Sequence, residues 1–90
     1  MAKKIAVVIR DRPGEALRMS LGLTLLDETV DVYVLGRRFE SGTEYDLHLK
    51  TIREMEMKIY TDREENADFE QLSAADAALR LLEYDHVLPY

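Results

Sequence analysis

Ile5, Ala6, Val7, Val8 and Ile9 form an unbroken apolar run rich in β-branched side chains, the pattern of a strand covered on both faces. A polar turn follows, Arg10-Asp11-Arg12-Pro13-Gly14, then a helix-patterned segment, then Val30, Val32 and Val34 in a second strand. Residues 3–36 therefore read as a βαβ unit. A strand covered on both faces calls for a mainly parallel sheet flanked by helices, and that restricts the chain to the α/β class.

The first helix opens at Pro13 and Gly14, carries Glu15 near the positive end of its dipole, and is expected to run to about Asp27. Projected at about 100° per residue, it shows one apolar stripe of Leu17, Leu21 and Leu25 and another of Ala16, Met19, Leu23 and Leu26. One sheet face needs only one stripe. Gly22 on one side, and Ser20 with Thr24 on the other, separate the stripes and leave room for a second body to pack closely. The Leu17, Leu21 and Leu25 stripe is read as an oligomer interface. The alternative is that a flanking helix of the same chain covers it.

In the second strand the valines alternate with Asp31, Tyr33 and Leu35, which predicts a position on the edge side of the sheet. A polar loop from Arg37 to Thr43 leads to a helix with Tyr45, His48, Leu49, Ile52 and Met55 on one face. Met57 to Thr61 reads as a third strand. The acidic stretch of Asp62, Glu64, Glu65, Asp68 and Glu70, opposed only by Arg63, reads as a solvated turn or short helix. Ser73 and Asp76 resemble a capping box opening an alanine-rich helix, and a last strand is expected around His86, Val87 and Leu88. The order βαβαβαβ predicts one α/β domain over residues 1–90, with strand order 2-1-3-4 and helices on both faces.

Ninety residues, 47% hydrophobic and 33% charged, suit a compact domain and exclude disorder. The net charge of −6 argues against nucleic-acid or anionic-membrane partners, whose binding depends on neutralising phosphates. The absence of cysteine excludes a disulfide, a thiolate metal site and a thiol nucleophile. The run from Ile5 to Ile9 is too short for a signal peptide or membrane span, so a cytoplasmic location is expected.

Ligands of doubly wound sheets sit beyond the carboxyl ends of the strands. That edge is expected to gather Arg10, Asp11, Arg12 and Gly14 after the first strand, Gly36, Arg37 and Arg38 after the second, and Thr61 with Asp62 after the third. Guanidinium forks and helix N–H groups there suit a small anion or a nucleotide phosphate. The bland reading pairs these arginines with Asp11, Glu40 or the acidic stretch. Neither a dinucleotide fingerprint nor a P-loop occurs, and His48 and His86 lack metal-ligand spacing, so no cofactor and no metal is expected. The serines have no nucleophile-elbow context. An enzyme using Asp11 or Asp62 as its acid or base is the weakest reading.

The segments IAVVIRDRPGEALRMSLGLTLL, VDVYVLG, MKIYT and SAADAALRLLEYDHVLPY together resemble the DsrE/DsrF-like group, small proteins of intracellular sulfur relay that include Tus-type subunits. The resemblance implies a flavodoxin-like or Rossmann-like sheet and assembly into homo-oligomers, trimers or hexamers. It further implies, for members active in sulfur transfer, a persulfide-bearing cysteine in the loop after the third strand. Here that loop, Thr61 to Asn66, has none, and a persulfide requires a thiolate. What the resemblance implies for this chain is a non-catalytic subunit or binding module beside a cysteine-bearing protein partner.

Overall fold

The computed structural model describes residues 3–26, 29–36, 39, 43–66 and 69–90. In chain order these form β1 (Lys4–Ile9), α1 (Pro13–Leu25), β2 (Thr29–Val34), α2 (Thr43–Glu54), β3 (Ile59–Thr61), β4 (Glu70–Gln71), α3 (Ala74–Leu81) and β5 (His86–Pro89). The strands make one five-stranded sheet, all parallel, in the order β4-β3-β2-β1-β5. The α/β class, the parallel sheet and the helices on both faces are as the apolar runs predict.

The order differs from the expected 2-1-3-4. β3 pairs with β2, from Val32↔Ile59 to Val34↔Thr61, and β1 is flanked by β2 and the last strand. β2 is therefore interior, although its alternation of valine with Asp31 and Tyr33 suggests an edge. The reason lies beneath α3, where the polar side of β2 meets other tyrosines; Tyr33 is fully buried. The acidic stretch also departs from expectation, because Glu70 and Gln71 add a short fourth strand beside Tyr60 and Thr61.

Steps from β1 to β2 to β3 all move in one direction, so right-handed crossovers put α1 and α2 on the same face. There Ile5, Val7, Ile9, Val30, Val32, Val34 and Ile59 pack with Leu17, Leu49 and Ile52. The chain then returns across the opposite face through α3 and sets β5 beside β1. That second face is built from Ala6, Tyr33, Tyr60 and Tyr84, with Leu72 and Leu81 against them. Among the described residues no helix is long and apolar enough to cross a membrane.

The first helix turns a different side to the sheet than its stripes suggest. Ala16, Leu17 and Ser20 are its buried residues, with Leu21, Leu23 and Thr24 half-buried beside them. Of the small residues read as separators, Ser20 and Thr24 thus lie at the helix–sheet contact, while Gly22 is exposed. Ser20 is accommodated because its hydroxyl donates to the Ala16 carbonyl at 2.7 Å, and Thr24 donates to Ser20 at 2.9 Å, so neither buries an unpaired group. As a correction to the expected interface, Leu17 is fully buried against the sheet and Leu21 packs on the same core, while Leu25 is 79% exposed. The helix ends at Leu25, with Leu26 as C-cap; Asp27 lies outside the described residues.

On α2, Leu49 and Ile52 are buried as expected, His48 is half-buried and Met55, beyond the last turn, is 37% exposed; the side chain of Tyr45 lies outside the described residues. Ser73 caps α3, accepting from the Asp76 N–H at 3.0 Å. The two sides of α1 should separate in stability measurements. Leu17→Ala is expected to cost about 2–5 kcal/mol in urea unfolding, and Leu25→Ala less than about 0.5 kcal/mol.

Candidate functional site

With this strand order the chain reverses direction between β1 and β5, so the crevice outside the carboxyl ends of these two strands is where a ligand is sought. Tyr90 occupies it. Its N–H donates to the Val8 carbonyl at 2.9 Å, and its main-chain oxygen accepts from the N–H groups of Asp11 at 2.8 Å and Arg12 at 2.7 Å. These are the donors that a turn leading into a helix would otherwise turn toward an anion. Arg12 is exposed, pairs with Glu15 at 3.2 Å and lies 5.8 Å from the centre of the Tyr90 ring. Arg10 and Asp11 are exposed, and Gly14 is half-buried in the first turn of α1.

The remaining candidates gather at the ends of β2 and β3. Gly36 has φ of +68°, a conformation that glycine adopts without the Cβ penalty, and its N–H donates to Asp62 Oδ1 at 2.8 Å. Thr61 is fully buried. Its hydroxyl donates to the Val34 carbonyl at 2.8 Å and accepts from the Arg63 N–H at 3.2 Å and the Asn66 amide at 2.9 Å. A hydroxyl bonded three ways inside the fold stitches β2 to the loop after β3. Arg37 and Arg38 lie outside the described residues. The fold therefore brings Gly36, Thr61 and Asp62 together and seats Asp11 and Arg12 on Tyr90.

Asn66, not singled out by the sequence, organises the loop after β3. Its side-chain oxygen accepts from the Phe39 N–H at 2.7 Å, and its carbonyl accepts from Gln71 Nε2 at 3.0 Å and the Phe69 N–H at 3.1 Å. Phe39 and Phe69 stack edge-to-face at 5.5 Å beside it. At 5% exposure this amide is a structural hub.

A second polar cluster lies under α3. Tyr84 donates to Asp31 Oδ2 at 2.5 Å, and with that proton committed its oxygen accepts from the Tyr33 hydroxyl at 2.8 Å. Arg80 donates to the Tyr60 hydroxyl at 2.8 Å and stacks over the same ring at 4.6 Å, while Lys4 Nζ sits 4.8 Å from the centre of the Tyr84 ring. The Arg80 Nε is buried with no acceptor among the described residues. Burial, and then the bonds to Asp31 and Tyr33, push the Tyr84 phenol far above its ordinary range; burial also raises Tyr60, against the opposing charge of Arg80. Both phenols stay neutral at physiological pH. The cluster anchors α3 and the start of β5 to the sheet.

No group of three or more His, Cys, Asp or Glu among the described residues could hold a metal ion. His86 is exposed on the edge strand, and the ion pair between Arg63 and Glu65, at 2.7 Å, is likewise a surface feature. Compared with protein-family profiles, with curated proteins and with solved structures, the chain finds no significant match.

Two measurements follow from these networks. Asn66→Ala removes the acceptor of the buried Phe39 N–H and a donor to Thr61, and is expected to cost about 1–3 kcal/mol in urea unfolding. Because the folded Tyr84 pKa lies above that of the unfolded chain, its contribution is complete below about pH 10 and is lost as pH rises beyond it. Ultraviolet titration should therefore show Tyr84 ionising together with alkaline unfolding, and Tyr84→Phe should flatten that part of the stability profile.

Proposed function

We propose that the chain is a non-catalytic, self-associating α/β module. This is the role that the resemblance to the DsrE/DsrF-like group implies for a member without cysteine, with a cysteine-bearing partner supplying the thiol of a sulfur relay. The observation that carries self-association is the outward surface of α1 and α3, where Leu25, Leu26, Leu79 and Leu82 are 79%, 71%, 65% and 81% exposed. Single exposed leucines are ordinary, but pairs of them on two short helices are apolar surface that an assembly would cover.

The non-catalytic part rests on where the polar groups are spent. The sequence holds no cysteine. Asp11 is open to solvent, and Asp62 is tied to the Gly36 N–H. The small-anion reading has less support than self-association, because the Asp11 and Arg12 N–H groups already donate to Tyr90.

Sedimentation equilibrium is expected to give a mass of three subunits or more at micromolar concentration, and a concentration-independent monomer overturns the proposal. Calorimetry against inorganic phosphate and sulfate is expected to show no binding at millimolar ligand. Binding that disappears on Arg10→Ala would favour the anion site instead.

A further inference from the structure

The exposed sides of α1 and α3 complement one another, yet they lie on opposite faces of one sheet and cannot meet within a chain. On α1, Glu15, Arg18, Met19 and Gly22 join Tyr90 to line an open groove of about 230 Å³. A Cβ placed on Gly22 meets no heavy atom within 4 Å, so the space over the helix is clear at that point. Met19, 40% exposed, and Tyr90 give the groove apolar surface. Arg18 gives it positive charge, since the Glu15 carboxylate is paired with Arg12 at 3.2 Å.

On α3, Ala75, Ala78 and Leu79, with Leu82 at the C-cap, fall at helical spacing on one arc, and all are exposed. Leu82 is the most exposed large apolar side chain described, at 81%. Asp76 and Glu83 border this arc and are exposed, whereas the nearby cations, Arg80 and Lys4, lie over the rings of Tyr60 and Tyr84. The result is an apolar ridge with an acidic border. Two such ridges facing each other across a two-fold axis would set acid against acid, which disfavours contact between like helices.

Resting on the self-associating reading above, we infer that a second copy of this chain seats Leu82, with Leu79 beside it, in the α1 groove, where Arg18 meets the acidic border of the incoming α3. Groove and ridge belong to different faces, so the contact is head-to-tail. Each copy offers one of each, and repetition of the contact closes into a ring if the rotation permits.

The test measures mass by light scattering on the whole chain, for the wild type, for Gly22→Trp, which fills the groove, and for Leu82→Arg, which removes the ridge and opposes Arg18. Both positions are exposed, and circular dichroism checks that each variant is folded; Met19→Glu and Leu82→Lys replace any variant that is not. The wild type is expected to assemble, and each variant to require at least tenfold more protein to do so. An equimolar mixture of the two variants is expected to form a species of two subunits and nothing larger, since one copy retains the ridge and the other the groove. A monomeric wild type overturns both the self-associating reading and this contact. Wild-type assembly that survives in both variants overturns the contact alone, and variants that stay monomeric when mixed overturn the head-to-tail geometry.

Discussion

A parallel sheet has to be covered on both faces, and here ninety residues provide only three described helices for the task. Two of them, α1 and α2, share the valine-rich face, and the other face receives α3 alone. A single eight-residue helix does not roof a five-stranded sheet. The tyrosines answer that shortage. Tyr33, Tyr60 and Tyr84 stack on one another, with ring centres 5.0 and 5.8 Å apart, and fill the space beneath the helix. Their hydroxyls find partners in each other, Asp31 and Arg80, so bulk is gained with each tyrosine hydroxyl paired.

The carboxyl edge of the sheet is handled in the same economical way. Tyr90 completes the β1 turn, Asp62 fixes Gly36, and Thr61 with Asn66 ties the loop after β3 to the end of β2. In a larger α/β protein this edge carries the ligand. Here its polar groups brace short strands, and the most exposed apolar side chains lie on or beside the helices.

Much of this was legible in the residues. The run Ile5–Ile9 specifies a buried parallel strand because only a covered strand tolerates it, the alternation of Val30–Val34 marks a second strand, and Ser73 marks the start of α3 through its capping chemistry. Strand order was not legible, since nothing local in Met57–Thr61 says whether it pairs with β1 or β2. β4 was hidden because two exposed polar residues carry no period. The inward side of α1 was misread because Ser20 and Thr24 count as polar in a projection, although each satisfies its hydroxyl on the helix's own carbonyls. The tyrosine cluster had a weak signal: Tyr33 and Tyr60 share a parity with Ala6, opposite the valines. Asn66 had none, because its partners Phe39 and Thr61 are brought to it by the fold.

The placement of β5 bears on how the molecule is made. The main-chain N–H of Lys4 donates to the carboxylate of Asp85, a contact spanning 81 residues, and Tyr90 closes the turn that starts α1. β1 thus has both its edges paired only once β5 is in place. Until then β1 presents an open, apolar edge, the kind of template on which chains join one another. Pairing β5 with β1 closes a far longer loop than the α1 crossover does and carries the larger entropic cost.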